Sequence, residues 1–184
     1  MIVCAGNNEN FSFATPIGVG LVNASINLTK LFVTQKPKNI LFVGTVGSYG
    51  KFKEFDIVSS NSATNIEIGF LENLSYSPVL EQINGIDINV SHETSQKVVV
   101  NSSNFITSNS AQSVLFLKYG LDLENMEFFA VLKVAQKFCV ASLGFFCVTN
   151  YCDQNAHKEF LQNQAKAKTI LENAVFKDYK KFLQ

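Results

Sequence analysis

The sequence predicts an α/β fold: one domain over residues 1–184, with a central mixed, mostly parallel sheet flanked by helices. Three observations carry this. Ile40-Leu41-Phe42-Val43 and the run from Ala141 to Val148 are unbroken apolar stretches, the pattern of strands buried on both faces. Stretches with helical spacing separate and follow them, including an amphipathic tail from about Ala156 that repeats through Phe160, Leu161, Ala165, Ile170, Leu171 and Val175. With 47% hydrophobic and only 16% charged residues, the chain has the material for a substantial core.

Taken in order, Met1 to Ala5 reads as a short buried strand ended by Gly6 and the turn-rich Asn7-Asn8-Glu9-Asn10. Thr15 and Pro16 have the residue types of an N-cap and first helical position, so a helix is expected from there to about Gln35. Gly18 and Gly20 would lie in its first turns, serving either close packing or the approach of a ligand. After the turn at Lys36-Pro37-Lys38-Asn39, the strand at Ile40 runs into Gly44-Thr45-Val46-Gly47-Ser48-Tyr49-Gly50. That segment can aim amides and hydroxyls at an anion or a sugar, and it can equally be a tight turn.

Further strands are expected at Asp56-Ile57-Val58, Thr64 to Phe70, Ile86 to Val90 and Val98 to Val100, and a short helix over Ser110 to Tyr119. A central helix is expected from about Glu124 to Phe138, with Glu127 in its first turn between Met126 and Phe128. A carboxylate there is favoured by the helix dipole, but among large apolar neighbours it also needs hydrogen-bond donors.

The composition narrows the function classes. The formal net charge is zero, so no basic field draws nucleic acid. No apolar run reaches a membrane span and the N-terminus does not read as a signal peptide, so a cytoplasmic protein is expected. Cys4, Cys139, Cys147 and Cys152 lack zinc-ligand spacing and are expected as buried free thiols. His92 and His157 are too far apart in sequence to suggest a metal site. All fifteen basic residues are lysine. Without arginine, the usual bidentate phosphate clamp is missing.

Gly47-Ser48-Tyr49-Gly50 with Phe55 to Val58, Asn101 to Ile106, Asn125-Met126-Glu127 and Thr149-Asn150 are four short segments that resemble, in order, those of the nucleoside phosphorylase and nucleosidase superfamily, which includes purine nucleoside phosphorylases and methylthioadenosine/S-adenosylhomocysteine nucleosidases. Gly47-Ser48-Tyr49-Gly50, followed by Phe55-Asp56-Ile57-Val58, resembles its Gly-Ser-Cys/Ala-Gly turn and Gly-Asp-Ile-Val. Asn101 to Ile106 resembles Ser-Gly-Asp-x-Phe-Ile, and Asn125-Met126-Glu127 resembles Glu-Met-Glu-Ala-Ala. Thr149-Asn150 matches the Ser-Asp or Thr-Asn after the last strand.

The resemblance implies a phosphorylase-like fold and cleavage of the N-glycosidic bond of a purine nucleoside. Glu127 and Asn150 would be catalytic, Glu127 on the ribose hydroxyls beside the cationic sugar and Asn150 donating to purine N7. Phe105, Ile106 and Met126 would pack on base and sugar. Gly47, Ser48 and Thr45 would serve the substrate or a phosphate, Thr45 falling where the family has its arginine, with Lys51 or Lys53 assisting. No cofactor is implied beyond phosphate as a co-substrate, and a homo-oligomer is expected.

The departures are Asn125 for the family's first glutamate, asparagine rather than aspartate at position 150, a short segment between the first strand and first helix, and no arginine. The nucleosidases' water-positioning glutamate aligns near Phe11, with Glu9 the nearest acid. The alternative reading is a catalytically weakened relative that binds a nucleoside or base, or a scaffold.

Overall fold

A computed structural model describes residues 1–86 and 98–182. Most of the strand expected at Ile86 to Val90, and His92, lie outside these residues. At the centre is the ten-residue strand β3 (Asn39–Ser48), paired along its length with the parallel β9 (Ala141–Tyr151). The other edge of β3 is shared. Near its start it pairs in parallel with β1 (Ile2–Cys4), and at its end it pairs antiparallel with β8 (Leu123–Asn125). The sheet continues from β8 through β7 (Val99–Ser102) and β5 (Ser62–Thr64) to β6 (Gln82–Asn84). Beyond β9, β4 (Ile57–Ser60) pairs antiparallel with it, and beyond β1, β2 (Thr15–Pro16) lies parallel to that strand. Five of these eight pairings are parallel, as a mixed, mostly parallel sheet requires.

The alternation of side chains along β3 explains its apolar run. Ile40 and Phe42 face a layer made by α1 (Leu21–Gln35) and α4 (Phe128–Lys137), where Phe42, Phe128 and Phe146 meet ring to ring. Leu41 and Val43 face α5 (Ala156–Asp178), which buries Ala167, Leu171 and Val175. A smaller cluster of Tyr49, Ile66, Val99, Phe116 and Leu121 sits under α3 (Ser110–Lys118), whose N-cap Asn109 accepts from Ala111 N–H at 2.9 Å.

Three expected elements differ. Thr15–Pro16 forms an edge strand rather than a helix start: Ile17 and Gly18 donate to the Cys4 and Ala5 carbonyls, and an edge tolerates proline. Gly18 and Gly20, at φ +95° and +84°, keep the chain non-helical until Leu21. The central helix begins only at Phe128, because Leu123–Asn125 fills the sheet between β3 and β7, a tertiary demand that local periodicity does not carry. The strand expected over Thr64 to Phe70 ends at Thr64, and Ile68–Leu71 is a helical turn (α2). Cys4, Cys147 and Cys152 are buried thiols as expected, whereas Cys139 is exposed at the left-handed residue beyond α4.

Candidate active site

The carboxyl ends of β1, β3 and β9 converge on the turn between β8 and α4, and a cavity of about 330 Å³ opens there. The loop after β1 contributes Gly6 to Glu9, β3 contributes Thr45 to Gly47, and β8 with its turn contributes Glu124 to Glu127. Thr149 and Asn150 come from β9, Ala156, His157 and Phe160 from the start of α5, and Val19 and Ile106 from two loops.

Local geometry explains why these side chains face one space. In β9, Val148 pairs with Val46 but Asn150 pairs with Gly47, so Thr149 is an extra residue, a β-bulge. The bulge breaks the two-residue alternation and lets consecutive residues line the cavity. Thr149 Oγ1 donates to Asn150 Oδ1 at 2.9 Å, and Asn150 Nδ2 donates to the Tyr151 carbonyl at 2.9 Å. That leaves the second N–H of the amide. Gly47 is required beside it, since a Cβ there would lie 3.1 Å from Asn150 Nδ2 and 2.7 Å from Cys152 Sγ.

Glu127 sits at the N-cap of α4 and is only 3% exposed. Its Oε1 accepts the Gly20 N–H at 2.9 Å and its Oε2 accepts Asn125 Nδ2 at 2.9 Å. Burial pushes its carboxyl up to about 7, the Gly20 amide offsetting part of this and the charge of Glu9 adding to it. Glu9, held by a tight turn in which its N–H donates to the Gly6 carbonyl, enters from the other wall. It accepts both the N–H of Thr45, at 3.0 Å, and the Thr45 hydroxyl. Burial raises its carboxyl too, against the lowering by the two Thr45 bonds.

The third carboxylate, Glu124, is 7% exposed. It accepts Tyr49 Oη at 2.9 Å, Thr107 N–H at 2.9 Å and the Thr107 hydroxyl, with the Cys152 thiol at 3.9 Å. Burial raises its carboxyl, and the Thr107 and Tyr49 donors oppose the rise.

Of the residues expected from sequence, Glu127, Asn150, Met126, Ile106, Gly47 and Thr45 line this one cavity. Phe105 and Ser48 do not. Phe105 is 71% exposed beside Ile106, its N–H held by Ser103 Oγ at 3.1 Å. Ser48 Oγ accepts the Gly50 and Phe52 amides at 3.1 Å and so closes the following turn. Lys51 is paired with Asp122 at 2.7 Å, and neither it nor Lys53 lines the cavity.

Sequence reasoning had Glu9 only as the nearest acid to a gap, and it did not single out Glu124, His157 or Phe160. An acid shortly beyond a buried strand's end is the signal that marks Glu9. Glu124 carried none, because at the start of an expected helix the dipole alone accounts for an acid.

A family model described as the phosphorylase superfamily matches residues 2–177. No curated protein matches the chain by sequence. Among solved structures, Helicobacter pylori 5'-methylthioadenosine/S-adenosyl homocysteine nucleosidase superposes with a TM-score of 0.77 at 15% identity, over 91% of this chain and 79% of that one. A futalosine hydrolase mutant of the same organism gives 0.76 at 15%, over 96% and 97%. The 5'-methylthioadenosine/S-adenosylhomocysteine nucleosidase of S. pneumoniae gives 0.76 at 10%, over 99% and 96%. At such identities the likeness establishes a common fold.

Proposed function

The chain belongs to the phosphorylase superfamily, and on that premise we propose that it hydrolyses the N-glycosidic bond of a purine ribonucleoside. One observation favours water over phosphate as the acceptor. Where a phosphate would need donors, the N–H and hydroxyl of Thr45 both go to the carboxylate of Glu9. Among the described residues, no lysine lines the cavity, and three carboxylates do. A phosphate dianion would meet the carboxylates of Glu9 and Glu127, the charge of Glu9 offset only in part by Lys168, whereas a water molecule and a developing cation would be favoured.

In this reading Glu9 orients a water molecule and takes its proton as the oxygen attacks C1'. Glu127 accepts the ribose hydroxyls and its negative charge stabilises the oxocarbenium-like sugar. The C1'–N9 bond breaks with its electrons passing to the purine, and the second N–H of Asn150 donates to N7. An amide cannot transfer a proton, so the base leaves as an anion and is protonated by solvent. This favours 6-oxopurines, whose anions are the better leaving groups. Met126 and Ile106 pack on sugar and base. The neighbours named above, nucleosidases and a futalosine hydrolase, agree in reaction class. A homo-oligomer would cover the exposed stripe Val22, Ile26 and Val33 on α1.

The test is release of free base from a panel of purine nucleosides with and without phosphate. Release independent of phosphate is expected. Release only with phosphate would establish phosphorolysis, and binding without release would establish the weakened relative.

A further inference from the structure

The departure at position 125 has a structural meaning. Asn125 Oδ1 accepts the backbone N–H groups of Glu127 and Phe128, both at 2.7 Å, which caps the start of α4. The other end of the same amide, Nδ2, donates to Glu127 Oε2 at 2.9 Å. Asn125 is 7% exposed and lines the cavity. We propose that Asn125 is a positioning residue, whose amide caps α4 with its oxygen and fixes the orientation of the Glu127 carboxylate with its nitrogen.

The chemistry of the position leaves few alternatives. A carboxylate at residue 125 would still cap the helix, but it would set an acceptor against Glu127 Oε2. With no arginine in the chain, no guanidinium is present to bridge two such acids. Asparagine supplies a neutral donor instead. With Gly20 N–H on Oε1 and Asn125 Nδ2 on Oε2, and the Met126 amide as a weaker third donor, the carboxylate keeps acceptor capacity for the cavity. Two acceptors fixed side by side suit the cis-2',3'-diol of a ribonucleoside, and the clamp thereby deepens the hydrolase reading on which it rests. Among the described residues, the other titratable groups that line the cavity are Glu9 from the β1 loop, Glu124 from β8 and His157 from α5, and the charge of Glu9 acts on Glu127.

The test compares Asn125→Asp, Asn125→Ser and Glu127→Gln by thermal melting and by the pH profile of kcat/KM for base release. Aspartate keeps the capping oxygen but sets a like charge against Glu127, so Asn125→Asp is expected to melt below wild type at neutral pH and closer to it at acid pH. Its kcat/KM is expected to fall about 100-fold at neutral pH, with partial recovery at higher pH as the limb set by Glu127 ionisation moves up. Serine keeps a capping oxygen, removes the donor and adds no charge. A loss of about 10-fold without a shift as large as aspartate's is expected of it.

A merely capping role would leave activity and pH profile unchanged in both variants. That result, obtained while Glu127→Gln abolishes turnover, would overturn the role of Asn125 alone. If Glu127→Gln retains full activity, the hydrolase site itself is misassigned. Should Asn125→Asp fail to fold, the serine variant decides: wild-type activity there overturns the proposal.

Discussion

Glu124 and Glu127 are three residues apart, both buried and both lining the same cavity, yet their surroundings assign them opposite work. Glu124 is saturated. It holds donors from Tyr49 after β3, Thr107 after β7 and Cys152 after β9, and so ties together three loops that build the cavity. Glu127 has one close N–H on each oxygen, with the Met126 amide as a further, weaker donor, and keeps acceptor capacity for a ligand. A buried carboxylate with all its acceptor sites used is an anchor. One held in place with sites to spare is a candidate for chemistry.

Substitutions can break or sharpen that contrast. The largest effect is expected for Glu127→Gln, a fall in kcat/KM of about 1,000-fold or more through loss of charge beside the cationic sugar. The same residue should shape stability. Glu127 titrates near 7 in the folded chain against an ordinary 4.5, so between those values the folded state binds more protons than the unfolded. Stability should therefore be greatest below pH 4.5 as far as this group is concerned, and fall as pH rises through 7, by about 3 kcal/mol at most. Denaturant unfolding across that range in wild type and Glu127→Gln isolates the contribution, because glutamine has no such slope.

Glu9→Gln should cost about 100-fold in kcat with little change in KM, as expected for loss of a base acting on water. Glu124→Gln should act mainly on stability. An amide cannot accept from Tyr49 and both Thr107 donors at once, and a loss of about 2 kcal/mol in denaturant unfolding is expected, with less effect on kcat than at Glu127. The smallest effect is expected for Asn150→Asp, which restores a group able to protonate N7. It should raise hydrolysis of 6-aminopurine nucleosides by about 10-fold on the acid side.

The layers of the fold were legible because Ile40 to Val43 and Ala141 to Val148 declare strands buried on both faces, and α5 declares its apolar stripe. The short elements were not. Thr15–Pro16 carries the residue types of a helix start, and only pairing with β1 makes it a strand. Leu123–Asn125 joins a helix-like run to a strand position fixed by β3 and β7. The site was legible where a motif coincided with a strand end, as at Asn150, or with a helix start, as at Glu127. Glu9 was not, because its register follows from a turn closed between Gly6 and Glu9 and from its bonds to Thr45, 36 residues away. Ser48 fits the motif, but its oxygen accepts two amides of the turn that follows and it does not line the cavity.

The most direct measurement is base release in ¹⁸O-labelled water at saturating phosphate, with the sugar product analysed by mass. Hydrolysis at Glu9 and Glu127 predicts free ribose carrying one ¹⁸O from solvent and no sugar phosphate. Ribose 1-phosphate as the product would contradict it, and would mean that phosphate displaces Glu9 from Thr45.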